Sequence, residues 1–349
     1  MKAIFFLLFF TIISFDITFA QEKKFSVYAV GFYNLENLFD TIHDEGKNDY
    51  QFLPEGSYRW NGLKYTHKLN NLSRALSDMG TDVLPNVGCA FIGVSEVENS
   101  HVLDDLVQMP SLAKRGIKYC HVEGLDRRGV DCALLYNPHL FSVTSVKLYP
   151  YVYENVSDSA KATRGFLTVT GKLANEPVAV IVCHLPSRFS TSYYREQGGR
   201  QVKNIKDSLL KADKNIKIFI MGDMNDDPFD KSMSEALDAK RDIKNVEKNG
   251  LYNPWWNTLV KDGNGTLFYN GSWNLFDQII ISENLLDKNN TKNYKTLKFM
   301  KHAIVKRDYL IQQDGKYKGS PKRTTAGGVW LDGYSDHLPV VVYLIKEQL

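Results

Sequence analysis

The sequence has few cysteines, and their spacing excludes two common kinds of small module. The four cysteines form no CxxC pair and no cysteine–histidine pair with the spacing of a zinc site. This argues against a disulfide scaffold and against a zinc module. We expect most of the four to be small residues of a hydrophobic core. A disulfide between Cys120 and Cys132 is the alternative, if the protein works in an oxidising compartment.

The sequence also lacks a strong excess of charge of either sign. The 43 Lys and Arg against 40 Asp and Glu give a net charge of +3, too small by itself to indicate a nucleic-acid or membrane-surface binder. With 43% hydrophobic and 24% charged residues, the chain does not belong to the disordered or fibrous classes. The charge is uneven, because segment 288–323 holds eleven Lys and Arg but only two Asp. This segment either flanks a cleft and contacts phosphates or forms a solvated lysine-rich face.

Long hydrophobic runs are missing except at the N-terminus. Lys2 precedes the apolar run Ala3–Phe15, and a small-residue end at Ala20 precedes a polar stretch. The pattern predicts a secretory signal peptide over residues 1–20. An uncleaved membrane anchor is the alternative, but a span needs about 18 apolar residues, more than this run offers. We therefore expect a secreted or periplasmic protein with no transmembrane segment in its mature chain.

The remaining residues, 21–349, alternate short apolar runs with amphipathic ones. Runs rich in Val, Ile, Phe and Tyr predict strands at Phe25–Tyr33, Cys89–Val94, Val130–Tyr136, Phe166–Thr170, Val178–Cys183, Ile216–Met221, Gln278–Ile281 and Leu338–Leu344. Apolar residues at three- and four-residue spacing predict helices at Lys64–Met79, about 195–213 and about 230–239. No repeat, linker or break in composition divides the chain, so we expect one domain of layered sheets and helices.

Metal-binding and acid–base side chains follow four of these apolar strands. They lie in the strings Tyr33-Asn34-Leu35-Glu36-Asn37, Val94-Ser95-Glu96, Cys183-His184-Leu185-Pro186 and Met221-Gly222-Asp223-Met224-Asn225. Because strand ends gather at one edge of a sheet, these side chains can converge although they are far apart in sequence. A single Asp after a strand is usually a turn residue or a helix cap. Four such placements indicate a functional site instead.

Two shorter motifs sharpen this prediction. Asp223 and Asn225 are two residues apart at the end of a buried strand and therefore point the same way. Asp336 and His337 place a histidine beside a carboxylate just before the last strand. The order of these polar residues along the chain resembles the motif order of the endonuclease/exonuclease/phosphatase superfamily. The residues that carry the resemblance are Asn34, Glu96, His184, Asp223, Asn225, Asp277, Asp336 and His337.

The resemblance covers about residues 25–346. It extends to the longer strings Phe32–Asp40 and Arg128–Tyr136, which look like the secreted bacterial branch of the superfamily. It implies an α/β fold of four layers, αββα, in which two mixed β-sheets pack face to face with helices outside, as in deoxyribonuclease-like proteins.

The resemblance also implies roles that phosphodiester hydrolysis requires. A hard divalent cation must offset the charge of the phosphate, and Mg²⁺ prefers one or two carboxylates with waters and phosphate oxygens, with Mn²⁺ or Ca²⁺ as alternatives. Glu96 would be the principal ligand, with Asn34 beside it and Asp336 completing this site or a second one. Asp223 would orient or deprotonate the attacking water, and Asn225 would hold a phosphate oxygen.

Two histidines would carry protons or bind the phosphate, each oriented by a carboxylate. By resemblance, His337 pairs with Asp277. His184 would pair with Asp131 if their strands are neighbours, although deoxyribonuclease-like proteins have Glu at the second position. The apurinic-endonuclease branch has Tyr where this chain has His184, which favours a function other than DNA repair.

The sequence allows two interpretations for each of three further features: an arginine, a tryptophan pair and a glutamate. Arg164 matches an Arg that contacts the substrate phosphate in the deoxyribonuclease-like pattern, or it is a surface guanidinium. Trp255 and Trp256, with Tyr252, stack on a base or a sugar, or they pack in the core. Glu36 tunes the metal site, or it is a buried hydrogen-bond anchor.

We predict a secreted, Mg²⁺-dependent phosphodiesterase, a nuclease that acts on DNA or RNA by in-line attack of an activated water. The first alternative is a phosphatase, or a phospholipid or sphingomyelin-type phosphodiesterase, with the same catalytic centre. A non-catalytic binding module is disfavoured because every expected position is filled. The implied partner is the phosphodiester substrate, which we expect to be nucleic acid, and no stable protein partner is implied.

Overall fold

The computed structural model describes residues 23–154 and 162–348, and the predicted signal peptide, residues 1–20, lies outside the described residues. In chain order the strands are β1 (Phe25–Leu38), β2 (Phe91–Val97), β3 (Lys118–His121), β4 (Asp131–Tyr136), β5 (Phe141–Tyr149), β6 (Phe166–Leu173), β7 (Glu176–His184), β8 (Lys217–Asp223), β9 (Ala239–Lys240), β10 (Leu251–Tyr252), β11 (Leu267–Tyr269), β12 (Ser272–Asn274), β13 (Asp277–Ser282), β14 (Lys298–Ile304), β15 (Thr325–Ala326), β16 (Val329–Trp330) and β17 (Val340–Glu347). The α-helices are α1 (Gly62–Asp78), α2 (Ser100–Gln108), α3 (Pro110–Ala113), α4 (Ser192–Ala212) and α5 (Trp256–Val260).

Most of the strands belong to two large sheets. The first has six strands in the order β14-β17-β1-β2-β4-β3, and the second has seven in the order β5-β6-β7-β8-β13-β10-β9. Both are mixed: β1 and β2 are parallel, as are β7 and β8, whereas β17 and β13 run antiparallel to their neighbours β1 and β8. The parallel pairs bring the carboxyl ends of two adjacent strands to one edge of each sheet, where the candidate site residues lie.

Side chains that alternate along each strand build the layers. In β8, Phe219 and Met221 face the other sheet, while Ile218 and Ile220 face α4, as the two-residue period of a strand requires. The helix α4 covers this outer face through Val202, Ile205 and Leu210. Helices α1 and α2 cover the outer face of the first sheet through Leu69, Leu72, Leu76, Leu103 and Leu106. The predicted αββα sandwich is therefore confirmed.

The sequence located the buried elements better than the exposed ones. Each of the eight predicted strands overlaps an observed strand, and the first two predicted helices are α1 and α4. The helix predicted at about 230–239 is only a π-helical turn, Ser232–Ala236, followed by a left-handed residue, Asp238, with φ +63°. The sequence analysis does not predict strand β5, which is a sheet edge with a continuous run of four exposed residues, Thr144–Lys147, and no alternation of buried and exposed positions there. No helix in the described ranges is both long and apolar enough to cross a membrane.

The cysteines are buried thiols. All four are free, and although β3 and β4 are neighbours, Cys120 lies opposite Leu134 and Cys132 lies opposite Ser95. The alternative disulfide between Cys120 and Cys132 is therefore not formed. Burial raises the pKa of Cys120 to about 11, so this thiol is protonated and unreactive near neutral pH.

The tryptophan pair divides between core and surface. Trp255 is fully buried, and its indole Nε1 donates a 3.0 Å hydrogen bond to the carbonyl of Ile279 in β13. Trp256 is only partly buried, with its ring centroid 6.4 Å from that of Phe229. The stacking interpretation is therefore wrong for Trp255, which is a core residue.

This assignment predicts different stabilities for two matched variants. Trp255→Phe should lower the free energy of unfolding by about 1–3 kcal/mol, because the smaller ring leaves a cavity and removes a buried hydrogen bond. Trp256→Phe should change it by less than about 0.5 kcal/mol. Urea unfolding followed by circular dichroism measures both, and equal losses would contradict the assignment.

Candidate active site

Three adjacent strands of the second sheet place three polar side chains in one row. In the strand register, His184 at the end of β7 lies opposite Asp223 at the end of β8, and Asp223 lies opposite Asp277 at the start of β13. All three are buried, with relative exposures of 5% or less. For these three side chains, the register of the second sheet brings together residues that are far apart in sequence.

The first sheet supplies the other side of the site. Asn34 of β1 lies opposite Ser95 of β2, so Glu96 follows it directly at the same sheet edge. The Asn34 amide Nδ2 donates to Asp223 Oδ2 at 2.9 Å and approaches Glu96 Oε1 at 3.3 Å. This amide therefore bridges carboxylates that belong to different sheets.

A distortion of the first sheet directs Glu96 into the site. The β1–β2 register shifts after Asn34, and the β2–β4 register shifts between Ser95 and Val97. Glu96 has a left-handed φ of +61°, which is strained for a residue with a Cβ, and its Oε2 accepts a 2.9 Å hydrogen bond from the backbone N–H of Asn37. Bulges of this kind re-aim a side chain next to functional sites.

His337 is held by the carboxylate that the resemblance implied. Its Nδ1 lies 2.7 Å from Asp277 Oδ2, and its Nε2 lies 3.7 Å from Asp223 Oδ2. Burial lowers the pKa of His337, but the carboxylates of Asp277 and Asp223 more than offset this, so the net pKa lies well above the usual value. The two carboxylates therefore favour the imidazolium form of His337.

His184 lies in the opposite electrostatic environment. Its Nε2 is 3.7 Å from both Glu96 Oε1 and Asp223 Oδ2, while its buried Nδ1 has no hydrogen-bond partner among the described residues. Burial and then the charge of Arg164 hold the pKa of His184 well below its usual value. His184 is therefore a neutral imidazole near neutral pH.

The expected pairing of His184 with Asp131 is wrong. Asp131 begins β4 in the first sheet, whereas His184 ends β7 in the second, so their strands are not hydrogen-bonded neighbours. The Asp131 Oδ2 atom lies 3.2 Å from His121 Nε2, and both carboxylate oxygens of Asp131 accept from the N–H of Gly124. Asp131 orders a loop outside the cluster instead of orienting the histidine.

Arg164 is not the surface guanidinium of its second interpretation, because its side chain is buried and bound to the protein by three of its nitrogens. Its side chain is 8% exposed, and Nη1 donates to Asp126 Oδ2 at 3.0 Å. Nε and Nη2 donate to the carbonyls of His184 and Leu185, at 2.8 and 3.0 Å. Arg164 therefore braces the backbone at His184.

Asn225 and Asp336 lie at the open side of the cluster. Asn225 donates from Nδ2 to the carbonyl of Leu185 at 3.0 Å and from its backbone N–H to Asp223 Oδ1 at 2.9 Å. Asp336 Oδ1 is 3.9 Å from His337 Nε2, and its Oδ2 accepts from Arg323 at 2.9 Å. Both side chains are partly exposed, so they can meet a ligand that enters from solvent.

Glu36 is a buried anchor, as its second interpretation stated. Its Oε2 accepts from the N–H of Thr324 at 2.6 Å and its Oε1 from that of Thr325 at 3.2 Å. Ser335, which the sequence interpretation passed over, extends this connection, since its Oγ donates to the carbonyl of Asn34 at 2.7 Å and accepts from the N–H of His337 at 3.1 Å. The segment before β17 is thereby fixed to β1.

The basic segment 288–323 does not lie along the site as a whole. Strand β14 pairs antiparallel with β17, so Lys298 lies opposite Ile345 while Ile304 lies opposite Val340, near the site. At its far end, Arg323 binds Asp336. The part of the segment up to Lys298 therefore lies away from the site, whereas Arg323 lies beside it.

Two groups of side chains could each hold a metal ion, and they share Asp223. Within each group the potential ligand atoms lie within 4.8 Å of one another, and the groups are Glu96, His184 and Asp223, and Asp223, Asp277 and His337. Burial, together with the Asp277 carboxylate, raises the pKa of Asp223 to about 6 despite the nearby His337. Within the described part of the chain, the buried Asp277 Oδ1 has no hydrogen-bond partner. Crowded, incompletely bonded carboxylates fit a hard divalent cation.

Comparisons with known proteins agree with this geometry. Residues 29–346 match the family described as "Endonuclease/Exonuclease/phosphatase family", whereas no curated protein sequence matches the chain. Similar solved structures include a protein of that family from Bacteroides thetaiotaomicron, with 17% identity over 93% of this chain and 97% of that chain and a TM-score of 0.55.

Two further structures share the fold. A mannosyl-6-phosphatase of Bacteroides thetaiotaomicron VPI-5482 has 17% identity over 91% of this chain and 99% of that chain, with a TM-score of 0.54. D. rerio TDP2 in complex with a single-strand DNA product has 11% identity over the same shares, 91% and 99%, with a TM-score of 0.53. Because the family match spans nearly all of the sequence after the N-terminal segment, the chain belongs to the endonuclease/exonuclease/phosphatase family.

Proposed function

We propose that the protein is a divalent-metal-dependent phosphodiesterase that cleaves nucleic acid, with Mg²⁺ as its metal. The observation that carries the proposal is the shared position of Asp223, which belongs to both potential metal-binding groups and adjoins a charged and a neutral histidine. Each residue type that phosphodiester hydrolysis needs is thus present where the edges of the two sheets meet. The N-terminal pattern supports an exported enzyme as part of the same proposal.

The residues divide the chemistry between them. A bound Mg²⁺ would offset the negative charge of the phosphate, and the carboxylates of Glu96 and Asp223 would hold it. The Asn34 amide, which donates to both carboxylates, would keep them in place. Asp223 would take a proton from the attacking water, which then bonds to phosphorus. The imidazolium of His337, kept charged by Asp277, would donate to a non-bridging oxygen as its charge grows.

The remaining groups act on the phosphate and the leaving oxygen. Asn225 uses one Nδ2 hydrogen on Leu185, so its second Nδ2 hydrogen can donate to a phosphate oxygen. His184 Nε2 lies 3.7 Å from Asp223 Oδ2, so this neutral imidazole can accept the proton that Asp223 takes from the water and give it to the leaving oxygen as the bond to phosphorus breaks. The products are a phosphomonoester and an alcohol.

Nucleic acid is favoured over other phosphoesters by two observations. The cluster is open at Asn225 and Asp336, which gives an extended chain access, and TDP2 of D. rerio, which has the same fold, was crystallised with a DNA product. A phosphomonoesterase is the second candidate, because a structure of the same fold is a mannosyl-6-phosphatase. A non-catalytic binding module is disfavoured by the complete set of candidate catalytic residues.

A substrate panel tests the proposal directly. We expect Mg²⁺-dependent cleavage of plasmid DNA or RNA and of bis-p-nitrophenyl phosphate, with little release of phosphate from mannose 6-phosphate and no cleavage of sphingomyelin. Faster turnover of the sugar phosphate would favour the phosphatase. No turnover of any substrate with Mg²⁺, Mn²⁺ or Ca²⁺ would contradict a hydrolase.

Loss of His337 or of its partner Asp277 should lower the catalytic rate strongly. His337→Gln and Asp277→Asn should each lower kcat by about 10²–10³-fold, the usual loss when one positioned donor to a developing negative charge is removed. The control is His121→Gln, because His121 is also buried against an aspartate, Asp131, but lies outside the cluster. Steady-state kinetics on bis-p-nitrophenyl phosphate measures these effects, and comparable losses in the control would show that kcat is reporting damage to the fold.

Metal dependence should depend on Glu96. Glu96→Gln should raise the Mg²⁺ concentration for half-maximal activity by at least about tenfold, since even residues that only support a ligand contribute that much. Glu98→Gln is the control: Glu98 is buried nearby, and burial raises its pKa to about 9, so the neutral amide resembles the protonated acid. An unchanged Mg²⁺ requirement in Glu96→Gln would show that Glu96 is not a ligand.

A further inference from the structure

One arginine connects three loops of the site, and neither the sequence motifs nor the proposed mechanism uses it. Arg188 lies four residues after His184, in the loop between β7 and α4. Its side chain is 41% exposed, so it lies at the rim of the site rather than in the core.

The guanidinium reaches the loop that carries the phosphate-binding amide. Nε donates to the backbone carbonyl of Asn225 at 3.2 Å, and Nη2 donates to Asp227 Oδ2 and Asp230 Oδ2 at 2.9 and 2.8 Å. Asn225 has a left-handed φ of +50°. A backbone in this region needs its surroundings to hold it. Arg188 binds the carbonyl of Asn225, and Asp223 binds its N–H.

The same guanidinium also reaches the segment that leads to Asp277. Nη1 donates to Asn274 Oδ1 at 3.1 Å, and the guanidinium carbon lies 4.4 Å from the centroid of the Phe276 ring, within range of a cation–π contact. Asp227 joins the two segments, because its second oxygen accepts from the N–H of Leu275 at 2.7 Å. Arg188 therefore fixes the loops after β7 and β8 and before β13 to one another.

Arg188 also offsets the negative charge of the loop that follows β8. Asp226, Asp227 and Asp230 lie on one loop, and Arg188 is within 3.5 Å of a carboxylate oxygen of each. Without the guanidinium, Asp227 and Asp230 would repel each other beside Asn225, and the loop would rearrange to separate or solvate them.

We propose that Arg188 is a positioning residue that fixes the Asn225 amide relative to Asp223 and Asp277 by binding all three loops at once. The proposal rests on the hydrolytic function proposed above. Arg188 acts through Asn225 and needs no contact with the substrate. A misplacement of about 1 Å in such a group can cost about 10²-fold in rate.

The test compares Arg188→Ala, Arg188→Lys and a matched control, Arg200→Ala, whose side chain is 42% exposed and pairs only at 3.7 Å with Glu154. Arg188→Ala should lower kcat on bis-p-nitrophenyl phosphate at least about tenfold, with KM changed less than about threefold. Arg188→Lys should stay impaired, because an ammonium cannot span the same acceptors. Millimolar guanidinium should restore the alanine variant and leave the control unchanged.

A second measurement does not depend on activity. In ¹⁵N-labelled protein, Arg188→Ala should shift the amide signals of Asn225 and Asn274, and guanidinium should move them back, whereas Arg200→Ala should leave them in place. Unmoved signals overturn the proposal, as does a variant with wild-type kcat or one in which only KM rises. Inactivity of the wild-type protein on every substrate would refute the proposed function alone, since the amide signals still decide the role of Arg188.

Discussion

The site depends on the burial of several carboxylates in one place. Asp223 and Asp277 face each other across two strands at 2% and 0% exposure, with Glu96 beside them, and such a group is unstable unless positive charge or hydrogen-bond donors compensate it. Asn34, His337 and the backbone N–H groups of Asn37 and Asn225 supply part of this compensation. A divalent cation would supply the rest.

This constraint also couples the two halves of the fold. The hydrogen bond from Asn34 to Asp223 joins residues 189 positions apart and crosses from one sheet to the other. The apolar layer between the sheets, with Phe32 on one side and Met221 on the other, sets the separation at which that bond can form. The geometry of the polar site therefore depends on the hydrophobic packing between the two sheets.

The surroundings of His184 and His337 shift the pKa values of these two histidines in opposite directions. His337 bonds to one carboxylate and faces another, and its pKa is raised, whereas His184 lies near Arg164 with an unpaired buried nitrogen, and its pKa is lowered. Two groups whose pKa values move apart can serve as charged donor and neutral partner in one reaction. The sequence could name both histidines, but it could not assign their charge, because that depends on groups brought in from other strands.

The sequence by itself determined most of the strands, and its resemblance to the family implied the αββα layers and most members of the cluster. Apolar runs fix strands locally, and polar residues that follow such strands identified Asn34, Glu96 and Asp223, whereas His337 was recognised beside a carboxylate just before the last strand. Only the tertiary structure decided which polar groups are partners: Asp131 belongs to the other sheet, Arg164 binds Asp126 and two backbone carbonyls, and Arg188 joins three loops. Pairing depends on sheet order and register, which arise from contacts between distant segments and leave no local pattern in the chain.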